Sequence, residues 1–184
     1  MGKSSNIEQR KFFFCPTLTT YPLDHLIAEC FVCSRFFAAC CQDASFGGDW
    51  AEPGVKCCHH FRLVFTDGAC SNNGKDYAKA GLGISVGVGD ECSWSIPVDD
   101  AIDSQGPRTN QRAELLAAIE GLKKLHQVDS AAKEEHKQMA MRHKAEVSPE
   151  YILVTDSEYV TKGITEWFPV WRVRLSFVFL KRIH

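Results

Sequence analysis

The stretch Phe61-Arg62-Leu63-Val64-Phe65-Thr66-Asp67 sets the architecture of this chain. Its β-branched and aromatic residues, followed at once by Gly68, are typical of a β-strand that ends in a turn. Two further extended runs follow, AGLGISVGV at residues 80–88 and CSWSIPV at residues 92–98. Because glycine-rich connections separate the three runs, we expect an antiparallel meander.

The strongest helix signal comes after the meander. Residues 109–125 read TNQRAELLAAIEGLKKL and place their apolar side chains on one broad helical face. Either Thr109 or Asn110 is suited to the N-cap position. The charged residues 123–149 then either extend this helix or form a solvated excursion.

One more strand and one more helix complete the pattern. Residues 151–155, YILVT, predict a fully apolar fourth strand, and residues 157–167 predict a helix capped by Asp156 or Ser157. Strands followed by alternating helix and strand indicate an α/β fold, in which a mixed sheet is covered by helices.

Composition bounds the class of protein. The chain has 184 residues, 45% hydrophobic and 24% charged, which predicts one globular domain with a short appendage. A net charge of −2 gives no general attraction to nucleic acid or to an anionic membrane. The longest apolar stretch, residues 26–41, contains Glu29 and Arg35 and is too short to span a bilayer. Since the polar N-terminus resembles no secretory signal, we expect an intracellular protein, nuclear or cytoplasmic, without membrane contact.

The cysteines are concentrated at the N-terminus, since seven of the nine precede residue 60. This shift in composition predicts a domain boundary there. Cys30 and Cys33 have the spacing of two zinc ligands, and Cys58 with His59 offers the other two. The alternative is that these cysteines pack as small hydrophobic side chains at helical spacing. Both interpretations stay open.

Three carboxylates occupy the ends of predicted elements. Asp67 ends the first strand, Asp156 follows the fourth, and Glu114 lies one turn into the long helix. If the first and fourth strands are neighbours, the three side chains converge and repel one another unless a cation neutralises them. Such a cluster suits Mg²⁺, which prefers oxygen ligands. Taken singly, the same residues also fit a turn, a solvent-facing helix position and an N-cap.

The residues around these acids carry a resemblance. Four motifs occur in order: TDGACSNNG at 66–74, AGLG at 80–83, TNQRAEL at 109–115, and TDSEYV at 155–160 followed by Gly163, Ile164 and Trp167. In order and in element assignment they resemble type 1 ribonuclease H, most closely the eukaryotic ribonuclease H1-like catalytic domain, over about residues 61–172.

The resemblance implies an endonuclease that cuts the RNA strand of an RNA–DNA hybrid and leaves 5′-phosphate and 3′-hydroxyl ends. In that family the counterparts of Asp67, Glu114 and Asp156 hold two Mg²⁺ ions, for which Mn²⁺ can substitute, and Gly68 belongs to the same metal site. Ions about 3.5–4 Å apart activate a water and stabilise the leaving oxygen.

Further positions match residues that contact the hybrid in that family. Asn73, Asn110 and Gln111 match minor-groove contacts, where the 2′-hydroxyl distinguishes RNA from DNA. Thr109 matches a contact to a DNA phosphate, and Trp171 matches the channel for the DNA strand. Trp167 also matches that region, although core packing suits it better.

The chain departs from the family after Arg172. The family continues with a fifth strand and a last helix that carry a mobile histidine and a fourth metal-binding aspartate, and residues 173–184 contain no counterpart of either. We favour a truncated gene product, and the alternative is that residues 174–179 add a makeshift strand. The expected organisation is a cysteine-rich segment at 1–60, a ribonuclease H-like domain at 61–172 and a divergent tail at 173–184.

Two main functional hypotheses follow. The first is a Mg²⁺-dependent hybrid nuclease, impaired by the missing fourth carboxylate. The second is a non-catalytic module that binds RNA–DNA hybrid or other nucleic acid. A zinc-stabilised interaction protein is a third, against which the three retained acids argue. The sequence names no protein partner.

Overall fold

The computed structural model of the chain describes residues 26–30, 34–38, 61–104, 106–137, 150–168 and 170. These residues form a six-stranded mixed sheet and the helices beside it. In chain order the elements are β1 (Ile27–Glu29), β2 (Phe36–Ala38), β3 (Phe61–Ser71), β4 (Lys79–Ser85), a 3₁₀ turn (Asp90–Cys92), β5 (Ser93–Pro97), α1 (Asn110–Lys137), β6 (Glu150–Val154), α2 (Glu158–Lys162) and a π-helical turn (Gly163–Trp167).

The predicted meander is confirmed, because β4 pairs antiparallel with both β3 and β5. The predicted end of the first strand at Asp67 is wrong. Strand β3 continues to Ser71, since residues 67–71 pair with residues 79–83 of β4 and so keep their backbone hydrogen bonds. Asp67 is therefore an interior residue of β3.

The condition for convergence of the acids, that the first and fourth predicted strands are neighbours, is met. Strand β6 runs parallel to β3, and Val154 at its end pairs with Phe65. Two residues beyond this pair in each strand direction, Asp156 lies level with Asp67. The prediction that both aspartates meet at this point of the sheet therefore holds, although only one of the two strands ends there.

The described part of the cysteine-rich segment extends the same sheet. Strands β1 and β2 form an antiparallel hairpin, and β2 pairs with the first residues of β3. The Phe36 amide donates to the Val86 carbonyl (2.9 Å). Leu26, Ala38 and Leu63 form a buried cluster on the sheet face opposite α1. The domain boundary at residue 60 stays a prediction.

Helix α1 covers the other face of the sheet. It begins after Thr109, whose hydroxyl accepts from the Arg112 amide (3.3 Å) and so caps the helix. It extends to Lys137, which agrees with the predicted extension beyond Leu125. The core beneath it includes Val64, Ile84, Val86, Cys92 and Leu125 in one cluster and Leu82, Val98, Ala113 and Ala117 in another.

An ion pair fixes the far part of α1 on the sheet. Arg62 at the start of β3 lies 2.5 Å from a carboxylate oxygen of Asp129, whose side chain is 6% exposed. This ion pair therefore ties α1 to β3 at the opposite end of the helix from Glu114. Burial and the neighbouring Asp129 also raise the pKa of Tyr151 on β6 to about 12.

None of the helices that the structure describes is long and apolar enough to cross a membrane.

Helix α2 lies beside α1 and continues into the π-helical turn, where Trp167 contacts Tyr159 edge to face (ring centroids 5.3 Å apart). The predicted second helix is thus confirmed with a wider last turn.

Close packing of α1 on β3 depends on Gly121. A Cβ at this position would lie 2.5 Å from Cγ2 of Thr66 and 3.1 Å from Cγ2 of Val64. We expect Gly121→Ala to lower the free energy of unfolding by about 1–3 kcal/mol, because overpacking forces buried side chains to move. Denaturant unfolding measures this change.

A double-mutant cycle with Thr66→Ser isolates the closer contact. Thr66→Ser removes Cγ2, so it should recover part of the loss in the Gly121→Ala background. Gly163→Ala is the matched control, since its nearest neighbour would be 3.8 Å away. Additive effects of Gly121→Ala and Thr66→Ser would contradict this account of the packing.

Candidate active site

Three carboxylates from three different elements converge at one point. Oxygen atoms of Asp67, Glu114 and Asp156 all lie within 4.8 Å of one another. Asp67 and Asp156 are exposed, whereas Glu114 is half-buried. The structure therefore brings together the three acids that the sequence analysis selected.

Asp156 is available because its neighbours cap the following helix. The Ser157 hydroxyl accepts from the Val160 amide (3.3 Å), and the Thr155 hydroxyl accepts from the Ser157 amide (3.1 Å). Of the two N-cap candidates, Ser157 is thus the one used. The Asp156 carboxylate remains with the cluster.

Glu114 reaches the cluster because helix and strand touch at Gly68. A Cβ on Gly68 would lie 2.3 Å from the Ala113 carbonyl carbon and 2.3 Å from the Glu114 nitrogen. Only glycine permits this approach. The Gly68 amide also donates to Oε2 of Glu114 (3.2 Å). Gly68 therefore positions a carboxylate, and a direct contact with metal stays a prediction.

The electrostatics of the cluster favour a cation. Burial first, and then the charges of Asp67 and Asp156, raise the pKa of Glu114, although the Gly68 amide opposes the shift. The charge contributions to this shift come from two carboxylates that lie close to Glu114. An all-oxygen donor set with excess negative charge fits Mg²⁺, so these residues fit the metal implied by the sequence.

Two of the predicted amide residues, Asn73 and Asn110, lie close to this cluster, and each accepts a hydrogen bond from a backbone amide. Oδ1 of Asn110 accepts from the Cys70 amide (2.8 Å), and Oδ1 of Asn73 accepts from the Asn110 amide (2.9 Å). Each Oδ1 is thereby oriented toward the protein, which leaves the NH₂ groups to face outward as donors. Gln111 is exposed beside them.

Other predicted contacts have different outcomes. The Thr109 hydroxyl oxygen caps α1, and its predicted contact with phosphate is untested. Trp171 lies outside the described residues.

Of the four predicted zinc ligands, the structure describes one. Cys30 is buried at the turn between β1 and β2, whereas Cys33, Cys58 and His59 lie outside the described residues. Within the described ranges, the three carboxylates are the one group of potential metal ligands that converges, and the zinc site stays a prediction.

The sequence analysis missed a clamp on the first turn of α1. Asp103, whose side chain is 8% exposed, accepts two hydrogen bonds from Arg112, at 2.9 Å from Nε and 2.5 Å from Nη2. Arg108 donates to the Asp103 carbonyl (3.1 Å). The clamp holds the turn that carries Asn110 and Glu114. No local pattern indicated it, because Asp103 stands in a loop without a periodic signal.

The cluster opens onto a groove of about 930 Å³. Asp67 and Asp156 border it on one side, and Ser93 and Ser95 of β5 border it on the other. A groove of this size admits an extended polar ligand to the exposed carboxylates.

Comparison with known proteins places this arrangement in a family. The RNase H family profile matches residues 60–178, past the point at which the motifs of the sequence end. Ribonuclease H1 of Mus musculus is 34% identical over 110 residues, which are 60% of this chain and 30% of that protein. Ribonuclease H1 of Homo sapiens is 31% identical over 112 residues, 61% of this chain and 31% of that protein.

A bacterial relative and a solved structure show a similar extent. Ribonuclease H of Pseudomonas entomophila strain L48 is 35% identical over 111 residues, 60% of this chain and 55% of that protein. A foamy viral protease-reverse transcriptase solved in complex with dsDNA is 28% identical with a TM-score of 0.35, and the match covers 61% of this chain and 58% of that one.

The chain thus spans less than a third of the mammalian relatives and about half of the bacterial one. The profile nevertheless covers well over half of the 184 residues and includes all three converging carboxylates. This chain belongs to the RNase H family.

Proposed function

We propose that this protein hydrolyses the RNA strand of RNA–DNA hybrids endonucleolytically and depends on Mg²⁺. The observation that carries the proposal is the convergence of Asp67, Glu114 and Asp156 within 4.8 Å, in a chain whose relatives are named ribonuclease H. A binding module would have no need for three mutually repelling carboxylates, two of which border a groove.

In this proposal the three carboxylates hold a pair of divalent ions, Mg²⁺ or, in its place, Mn²⁺. Bound there, the metal supplies Lewis acidity toward a phosphate and lowers the pKa of a bound water. Glu114 must release any proton it holds before it binds metal, since only the carboxylate is a ligand. The Gly68 amide assists by favouring the charged form of Glu114.

Recognition of the hybrid is assigned to the amide residues beside the cluster. Their outward NH₂ groups suit acceptors in the minor groove and the oxygen of a 2′-hydroxyl. Because Asn110 is the first residue of the helix that carries Glu114, a strand bound by Asn110 lies in fixed register with the carboxylates. The same helix thus couples recognition to the reacting centre.

Loss of single carboxylates tests the enzymatic assignment. We expect Asp67→Asn and Glu114→Gln each to reduce cleavage of an RNA–DNA hybrid in Mg²⁺ on the order of 100-fold or more, because each removes a metal ligand worth several kcal/mol. Glu120→Gln, on the same helix but paired with Lys123 outside the cluster, is the matched control and should retain activity.

The measurement is the rate at which an end-labelled RNA strand is shortened, with the DNA strand monitored in parallel. Equal rates for the wild type and Asp67→Asn would refute the assignment. Saturable hybrid binding by the wild type without any cleavage would instead select the non-catalytic binding module.

The raised pKa of Glu114 predicts how pH and metal affect stability. A carboxyl group with a raised pKa in the folded state stabilises the fold while it is protonated, and this contribution is lost as the pH rises through that pKa. At about pH 7 without metal, Glu114→Gln should therefore unfold at a higher temperature than the wild type. Added Mg²⁺ should raise the midpoint of the wild type more than that of the variant.

Thermal unfolding in chelator and in excess Mg²⁺, repeated between about pH 5 and pH 8, measures both effects. The Mg²⁺-induced shift should shrink toward the acidic end, since protons compete with metal for Glu114. A wild type that is less stable than Glu114→Gln by the same margin at every pH would contradict the pKa argument.

The orientation of Asn110 predicts separable effects on folding and binding. Asn110→Asp keeps the oxygen that accepts from Cys70 and adds a favourable negative charge at the N-terminus of α1, so the variant should fold normally. It loses the outward NH₂ donor, and hybrid affinity should fall about 10-fold or more.

Fluorescence anisotropy with a labelled hybrid measures this affinity in the Asp67→Asn background, where cleavage does not interfere. Asn110→Ala serves as the comparison, because it loses the donor and also the bond to Cys70. Unchanged affinity in Asn110→Asp would mean that the Asn110 side chain does not contact the hybrid.

A further inference from the structure

Strands β1 and β2 belong to the same sheet as the carboxylate cluster. Strand β2 pairs with Phe61 and Arg62 of β3, and β4 occupies the same edge of β3 from Phe65 onward. The opposite edge of β3 belongs to β6. The two N-terminal strands are therefore joined directly to the strand that carries Asp67.

Backbone contacts anchor β2 to the chain that follows β4. The Phe36 amide donates to the Val86 carbonyl (2.9 Å), and the Val88 amide donates to the Ser34 carbonyl (2.8 Å). A Cβ on Gly87 would overlap the Ser34 carbonyl oxygen, so only glycine permits this close approach. These contacts hold β2 at a fixed position on the sheet.

The side chains of the N-terminal strands pack on two residues where β3 and β6 run side by side. The Phe36 ring meets the Phe65 ring edge to face, with centroids 5.2 Å apart and planes at 75°. Phe65 and Val154 are partners across the two strands, and both pack against the buried cluster that includes Leu26 and Ala38. The N-terminal strands therefore cover this pair of residues on the sheet face opposite α1.

Each residue of this pair stands two positions before an exposed acid of the cluster. Side chains alternate along a strand, so Phe65 and Asp67 share one face about 7 Å apart. Val154 precedes Asp156 by the same number of residues. Phe65 and Val154 also line the groove that the two aspartates border. The packing from β1 and β2 thus reaches the row of side chains next to the carboxylates.

Repulsion between the carboxylates makes this packing consequential. The ladder between β3 and β6 ends, within the described residues, at Val154, so it does not itself hold Asp156 beside Asp67. The two acids repel each other and favour separation of the strand ends. The contact of Phe65 and Val154 with the N-terminal strands opposes that separation.

From these observations we propose that β1 and β2 position the metal centre, with Phe36 as the positioning residue. Phe36 acts through Phe65, and it thereby keeps Asp67 and Asp156 at the separation that a shared metal requires. This assignment, which rests on the proposed function, makes β1 and β2 part of the framework of the site, although the sequence predicts a separate cysteine-rich segment.

Calorimetric titration of the full chain with Mg²⁺ tests the proposal. Phe36→Ala should weaken Mg²⁺ binding about 10-fold and leave the number of bound ions unchanged, because loss of the groups that orient metal ligands typically has an effect of this size. Phe36→Leu keeps apolar volume against Phe65 and should restore most of the affinity.

Phe37→Leu is the matched control. Phe37 is 2% exposed and lies on the other face of β2, so its substitution should lower the unfolding temperature without changing the affinity for Mg²⁺. An equal loss of affinity in Phe37→Leu would show that any destabilisation weakens the site, and it would overturn the positioning role of Phe36.

Hydrogen–deuterium exchange of the wild type supplies a second readout, which decides the question if Phe36→Ala fails to fold. Coupling between two sites acts equally in both directions. Saturating Mg²⁺ should therefore slow exchange of the Phe36 and Val88 amides about 10-fold relative to chelator. Residues 130–137, at the far end of α1, should exchange at the same rate in both conditions.

The outcomes separate this proposal from the proposed function. Saturable Mg²⁺ binding by the wild type with unchanged affinity in folded Phe36→Ala would overturn the role of Phe36 and leave the metal centre intact. Exchange of the Phe36 and Val88 amides that Mg²⁺ does not alter would do the same. A wild type without saturable Mg²⁺ binding would contradict the metal centre itself, and the positioning role with it.

Discussion

The close approach of α1 to β3 at Gly68 governs the geometry of this site. A strand and a helix can touch backbone to backbone only where a side chain is missing, and Gly68 leaves no room for a Cβ against Ala113 and Glu114. The contact brings Glu114 to the Gly68 amide and beside Asp67. Asp156 joins them because β6 ends two residues short of that level. The cluster thus depends on the contact at Gly68 and on the register of β6 with β3.

The same contact works against stability. Three carboxylates within 4.8 Å repel one another, and burial first and then this repulsion raise the pKa of Glu114. The surrounding structure opposes it with the clamp between Asp103 and Arg112 at one end of α1 and the ion pair between Arg62 and Asp129 further along. These two ion pairs hold α1 in a position that keeps Glu114 beside Asp67 and Asp156 despite their repulsion. Local instability of this kind is typical of functional sites.

Much of this arrangement could be predicted from the sequence. Hydrophobic periodicity predicted the strands of the meander and the long helix, because each depends on local patterns. The pairing of β6 with β3 entered only as a condition, because it joins distant parts of the chain. The three acids that the sequence analysis selected converge in the structure, and their role in catalysis stays a prediction. The end of β3 was mistaken because Gly68 was interpreted as a turn signal, whereas it serves close packing within the strand. The Asp103 clamp escaped notice because it depends on tertiary placement of a loop residue.

The account is tested most directly by calorimetric titration of the wild-type protein with Mg²⁺ in two buffers of different ionisation enthalpy. It predicts saturable binding accompanied by proton release at mildly acidic pH, with both lost in Glu114→Gln, because the raised pKa of Glu114 favours its protonated form and metal binding requires the carboxylate. Absence of saturable binding, or binding that Glu114→Gln leaves unchanged, would contradict the central claim that the three carboxylates form a metal centre.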